Sequence, residues 1–130
     1  MPLRLGLDID GVLADFRTAF HVAAHNCLRR DIAEPTDSDQ FPGPLDAADV
    51  RRVWEYVART ENWWMDVPAY EPDQIARLYA RTRAAGWEVF FLTKRPPSAG
   101  DSVQFQTQWW IERLGFYLPS VLTIPGSRGE

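Results

Sequence analysis

An apolar run that ends in two closely spaced carboxylates limits most strongly what this chain can fold into. The run Leu3–Ile9 barely alternates with polar residues, which predicts a strand buried on both faces. Side chains two residues apart lie on the same face of a strand, so Asp8 and Asp10 are expected side by side where the chain turns at Gly11. Neighbouring carboxylates repel unless they share a proton or a cation. The run therefore predicts a ligand site, suited to Mg²⁺ and phosphate, at the carboxyl end of a strand.

Helical and strand-like segments alternate along the rest of the chain. Apolar spacing marks the helices, Asp46 is a predicted N-cap, and Gly86 is a predicted C-terminal stop. The predicted segments are helix Asp15–Arg29, loop Asp31–Leu45, helix Asp46–Thr60, aromatic connector Glu61–Glu71, helix Asp73–Ala85, strand Trp87–Thr93, loop Pro96–Gly100, helix Ser102–Leu114, strand Ser120–Ile124 and tail Pro125–Glu130.

This order of segments predicts an α/β fold built on a Rossmann-like parallel sheet of three strands with right-handed crossovers. The stretch between the first two strands is too long for a simple crossover. We expect it to form a small helical cap inserted after strand 1. Residues 1–14 and 86–130 would then make the α/β core, and residues 15–85 the cap together with the helix that leads into strand 2.

Composition excludes several classes of protein. The 130 residues suit one domain, with or without an insertion, and the 45% hydrophobic content is enough for a core. A net charge of −4 argues against a protein that binds nucleic acid polymers through a basic surface. No apolar run approaches a membrane span and no signal peptide is recognised. Cys27 is the only cysteine, which fits a cytoplasmic location.

A second polar cluster follows the second predicted strand, which ends at Thr93 and continues into Lys94 and Arg95. A hydroxyl and two cations at a strand end suit a phosphate pocket, because the hydroxyl donates to an oxygen and the cations supply charge. The plain alternative is a strand end with solvated cations. The first cluster, expected at the same edge of the sheet, favours the phosphate pocket.

The first motif, Asp-Ile-Asp-Gly-Val-Leu, resembles the first motif of the haloacid dehalogenase-like (HAD) phosphatases, and the match covers Leu5 to Phe16. The strand that ends on Thr93 resembles the second HAD motif. The run Leu-Asp-Ile-Asp-Gly-Val-Leu-Ala-Asp-Phe, the position of the cap and the run Leu-Thr-Lys-Arg-Pro are most similar to the 5′(3′)-deoxyribonucleotidase-like branch. The cap itself carries no residue-by-residue likeness, so the substrate class is less defined than the reaction class.

The resemblance implies a Mg²⁺-dependent phosphohydrolase acting on a small phosphomonoester such as a 5′-nucleotide. Asp8 would attack phosphorus and form an aspartyl phosphate. Asp10 would protonate the leaving oxygen and later deprotonate water. Asp8 and the main-chain carbonyl of Asp10 would bind Mg²⁺, while Thr93, Lys94, Arg95 and Gly11 would bind the substrate phosphate.

The chain departs from the HAD pattern after its third strand. The acids of the fourth motif are not found, Arg128 and Lys94 are the candidates for the cation of the third, and Glu130 is a remote candidate metal ligand. Without a fourth strand, the first strand would be a sheet edge with unpaired main-chain groups. We expect a second copy of the chain or a further C-terminal segment to cover that edge, or else poor solubility.

Three further interpretations stay open. The chain could be a catalytically incomplete HAD-like module that binds a phosphorylated ligand or a protein partner. His21 and His25 share a helix face but lack a third zinc ligand. Trp63, Trp64 or Tyr70 could stack on a nucleobase, although such clusters more often form core. A Rossmann dinucleotide-binding protein is disfavoured, because no Gly-x-Gly-x-x-Gly follows the first strand.

Overall fold

The chain forms a mixed α/β structure in a computed structural model that describes residues 3–32 and 45–124. Most of the predicted loop after the first helix, the predicted tail, and with it Arg128 and Glu130, lie outside the described residues. In chain order the elements are β1 (Arg4–Asp8), α1 (Phe16–Leu28), α2 (Ala47–Arg59), a 3₁₀ helix (Trp63–Asp66), α3 (Pro72–Ala85), β2 (Glu88–Lys94), α4 (Val103–Arg113) and β3 (Ser120–Ile124).

Local capping interactions define the ends of the α-helices. The side chains of Asp15, Asp46 and Ser102 accept hydrogen bonds from the main-chain N–H three residues later, which satisfies one of the unpaired donors at each helix start. Gly86 closes α3 with a φ of 70°, a left-handed conformation that glycine adopts without steric cost. The predicted helices are confirmed to within one residue at each end.

The three strands form the predicted parallel sheet, their order is β1-β2-β3, and β1 is an edge strand among the described residues. Helices α3 and α4 pack on one face of this sheet. On that face the Phe91 ring meets the Phe116 ring at 5.0 Å, and Tyr79 of α3 meets Phe116 at 5.1 Å. Gln104 of α4 donates to the Val121 carbonyl of β3. Because all three strands are parallel, their carboxyl ends lie at the same end of the sheet.

The prediction that β1 is buried on both faces was wrong. Its residues alternate between exposed and half-buried, and Leu3 just before it is 50% exposed. The opposite face of the sheet continues this surface with Phe90 and Leu92, both half-buried, and with exposed Leu122. An apolar run indicates a strand, but the elements packed against the sheet decide which of its faces are buried. Here the described helices cover one face of the sheet.

An aromatic cluster forms the centre of the predicted cap. Phe16 stacks on the Trp54 and Trp64 rings at 5.6 and 5.9 Å, and Trp63 meets Trp64 edge-on at 4.8 Å. Trp63 and Trp64 are both buried, so they pack in the core instead of presenting an open surface for a nucleobase. The two linkers to the cap pair with each other, through a bridge between Ala14 and Ala69.

Candidate functional site

The turn after β1 is organised around one main-chain carbonyl. The N–H groups of Leu13 and Ala14 each donate to the Ile9 oxygen at 2.9 Å, and Gly11 donates to the Ala14 oxygen at 2.9 Å. Gly11 has a φ of 84°, in the left-handed region that favours glycine. The turn therefore fixes the position of Asp10, while the Gly11 N–H, predicted to bind phosphate, is paired inside the turn.

Asp10 and Thr93 meet at the carboxyl edge of the sheet, as the sequence predicts. The Thr93 hydroxyl donates to Oδ2 of Asp10 at 3.1 Å. Arg95 makes a two-pronged ion pair with the same carboxylate, from Nε to Oδ2 at 2.9 Å and from Nη2 to Oδ1 at 2.8 Å. Both oxygens of Asp10 thus accept charge-assisted hydrogen bonds, an arrangement that fixes a carboxylate in position and in orientation.

Arg95 lies in the interior of the protein, not at its surface. Its side chain is 0% exposed and that of Asp10 is 11% exposed. The remaining guanidinium nitrogen, Nη1, donates to the Thr107 hydroxyl at 3.0 Å, and the guanidinium carbon lies 4.5 Å from the centre of the Trp64 ring. Each guanidinium nitrogen of Arg95 thus donates to another side chain of the protein, and the ring of Trp64 lies against the guanidinium group.

A further set of hydrogen bonds holds the aromatic ring that covers Arg95. The Trp64 indole N–H donates to the Pro96 carbonyl at 3.0 Å, and the Trp64 main-chain N–H donates to Oε1 of Gln106, also at 3.0 Å. Gln106 is fully buried and itself donates to the Asp101 carbonyl at 2.8 Å. The cap, β2 and α4 are therefore joined through one buried polar network around the Asp10–Arg95 pair.

Asp8 differs from Asp10 in being exposed. It is the last residue of β1 and lies beside Leu92, one residue before Thr93. It forms no ion pair with any residue in the described ranges. Lys94 is also exposed at the end of β2. Among the described residues at this end of the sheet, Asp8 and Lys94 are thus exposed, in contrast to the Asp10–Arg95 pair.

No three histidine, cysteine, aspartate or glutamate side chains come close enough to hold a metal ion within the ranges 3–32 and 45–124. The ligands predicted for Mg²⁺, Asp8 and the Asp10 carbonyl, both lie at the end of β1. The carboxylate of Asp10 is already bound by Arg95.

Thr107 and Gln106 are site residues that sequence reasoning missed, and Trp64, considered there only for a nucleobase, covers Arg95 instead. Thr107 and Gln106 are buried polar residues on α4, next to the core residues Trp110 and Ile111. A polar residue on the apolar side of a helix is a usable signal, because buried polar groups need partners. The partners themselves lie far along the chain, and spacing alone does not identify them.

No protein-family model matches this sequence, and neither does any curated protein. Within the part of the chain that the structure describes, none of the helices has the length and apolar character needed to span a membrane.

Proposed function

We propose that this protein is a phosphohydrolase of the HAD type, which cleaves a small phosphomonoester through an aspartyl phosphate on Asp8. One observation carries the proposal. An exposed carboxylate ends the first parallel strand, two residues before a second carboxylate that Thr93 of the neighbouring strand and Arg95 just beyond it hold. The carboxyl edge of a parallel sheet is where ligands bind in such folds. The motif resemblance supplies the reaction class.

The two acids are suited to different steps. Asp8 is accessible, as a nucleophile must be. Its carboxylate would form a bond to phosphorus while the bond from phosphorus to the ester oxygen breaks, and the leaving oxygen would take its proton from Asp10 or from water. Water would then break the acyl phosphate and regenerate Asp8. Asp10 is held as an ion pair, and an ionised carboxylate is ready to take a proton from that water. As an acid for the leaving group, Asp10 would first have to take up a proton.

Mg²⁺ is implied by the resemblance and suits the donors available, because it prefers oxygen ligands and keeps several waters. The Asp8 carboxylate and the Asp10 main-chain carbonyl would hold it. When bound, it would neutralise charge on the phosphoryl group. Thr93 and Lys94 would contact the phosphate oxygens, whereas Arg95 would act by positioning Asp10.

The direct test is the rate of p-nitrophenol release from p-nitrophenyl phosphate with Mg²⁺. We expect turnover by the wild-type chain and a loss of at least about a hundredfold in Asp8→Asn and in Asp10→Asn. The matched control is Asp73→Asn, an exposed acid in the first turn of α3. Equal rates for wild type and Asp8→Asn would remove the mechanism.

A second candidate is a module that binds a phosphorylated ligand without cleaving it. The ion pair of Asp10 with Arg95 favours this candidate, because both oxygens of the prospective acid are occupied. Calorimetry with inorganic phosphate separates the two. Phosphate binding that is lost in Thr93→Val, together with no turnover of any aryl phosphate, would support the binding module over the enzyme.

A further inference from the structure

We infer that β1 is the docking edge for a second copy of this chain, with the two β1 strands antiparallel and paired about Gly6. The two sheets would then join into one. Alternate residues of β1 direct their main-chain N–H and C=O groups towards β2, which leaves the groups of the other residues available for a second strand. The Leu3 carbonyl accepts a bond from Glu88 of β2, so in a parallel ladder Leu5 and Leu7 also point their polar groups towards β2.

The remaining residues of β1 point their main-chain groups away from β2. They are Arg4, Gly6 and Asp8, and no strand pairs with them among residues 3–32 and 45–124. In an antiparallel pair, residues that exchange both main-chain bonds recur at every second position. A two-fold axis between the Gly6 residues of the two copies satisfies this rule. The paired strands would then form about six main-chain hydrogen bonds.

The charges on β1 select this register. Pairing about Gly6 sets Arg4 opposite Asp8 of the second copy, and by symmetry Asp8 opposite Arg4. Arg4 is well exposed, with 75% of its side chain accessible, and its present partner Glu88 is 62% accessible. An exposed pair of that kind contributes little and leaves Arg4 able to turn to a second acid. Shifting the register by two residues in either direction removes both Arg4–Asp8 contacts.

The side chains around Gly6 also suit a close approach. A Cβ at Gly6 would lie 3.0 Å from the Phe90 ring, so this ring covers the strand at the position where no side chain stands. Two Phe90 rings would flank the Gly6–Gly6 pair, one from each copy. An aromatic ring beside a glycine in a sheet compensates for the missing side chain.

The partner copy would also contribute to the proposed site. Its Arg4 guanidinium would lie beside Asp8, the acid proposed as nucleophile, which forms no ion pair with the described residues of its own chain. This part rests on the proposed function. The dimer itself does not, because the mass of the particle is measured without any substrate.

Sedimentation velocity of the full chain tests the dimer. A five-residue strand pair is smaller than a standard interface, so we expect reversible association between about 1 µM and about 500 µM, towards twice the chain mass of 14.9 kDa. We expect Arg4→Glu and Asp8→Arg each to weaken it by about tenfold or more, because each places two pairs of like charges across the axis. Raising the salt concentration should weaken the wild-type dimer as well.

A charge swap defines the register. Arg4→Asp combined with Asp8→Arg should recover association, and it is made in a Glu88→Gln background so that the new carboxylate at position 4 meets no neighbouring acid. Glu88→Gln alone is the control and should leave association unchanged. A monomer at every concentration would overturn the proposal, as would a dimer that neither charge reversal weakens. A dimer that cleaves no phosphate ester would instead count against the proposed function alone.

Discussion

Arg95 has three protein partners and no contact with solvent. It pairs with Asp10, donates to Thr107 and stacks on Trp64. Removing the cation of a buried ion pair leaves the carboxylate buried without a compensating charge. The loss in free energy of unfolding is then far larger than the contribution of the intact pair. At the scale of single residues, Arg95 is therefore the side chain on which the geometry of the site depends most.

We expect Arg95→Met to lower the free energy of unfolding by about 3–5 kcal/mol, because Asp10 would stay buried without its partner. Urea denaturation followed by circular dichroism measures this loss. The double variant Arg95→Met/Asp10→Leu should recover much of it. Arg77→Met is the control, since the Arg77–Glu71 pair is exposed and should contribute less than about 1 kcal/mol. A similar loss in both single variants would contradict this account.

The sequence correctly placed Asp10 and Thr93 together, because both follow apolar runs that end at the same edge of a parallel sheet. It did not predict the burial of Arg95. The residue follows a strand end among polar neighbours, where a cation is usually solvated. Its burial involves Trp64, which lies 31 positions earlier in the chain and meets Arg95 only in the folded structure.

At the scale of elements, the helix ends were the easiest features to predict, because a cap is a local interaction. Asp46 and Ser102 each bond to an N–H three residues away. The contact of α3 with the segment after α4 depends instead on tertiary packing. There Gly115 has a φ of 106°, and a Cβ added to it would lie 2.9 Å from the Cβ of Ala76.

Gly115→Ala should therefore destabilise the protein more than Gly86→Ala does. Both residues have positive φ, and alanine there costs about 1–2 kcal/mol. At Gly86 a Cβ meets open space, whereas at Gly115 it meets a helix that must shift, which adds about 1–3 kcal/mol. Thermal unfolding of the two variants provides the comparison. An equal change in melting temperature would show that α3 yields without cost.

At the scale of the whole molecule, hydrogen bonds join the segment predicted as a cap to the segments around β2 and α4, with donors on both sides. The Trp64 indole of the 3₁₀ helix donates to Pro96 beyond β2, and the Trp110 indole of α4 donates to Val67 at 2.6 Å. The Asn62 N–H bonds to the Ala99 carbonyl at 2.7 Å. Buried polar contacts of this kind are lost together when either part opens.

We expect the chain to unfold in a single cooperative step. Tryptophan fluorescence follows mainly the cap cluster and α4, while far-ultraviolet circular dichroism follows all helices, and the two denaturation curves should coincide. Gln106→Leu, which removes the partner of the Trp64 N–H, should lower the midpoint without separating the curves. An early fluorescence transition, with the helical signal retained, would instead mean that the cap melts alone.

The paired linkers at Ala14 and Ala69 give the insertion a property of its own. Because the chain leaves the region of the sheet at Ala14 and returns beside it at Ala69, the segment between these residues could be lengthened, shortened or exchanged without a change in strand order. The limit on such exchange is chemical. Any substitute insertion would have to offer a flat π surface to the guanidinium of Arg95, which would otherwise keep its Asp10 and Thr107 partners but lose the ring that covers it.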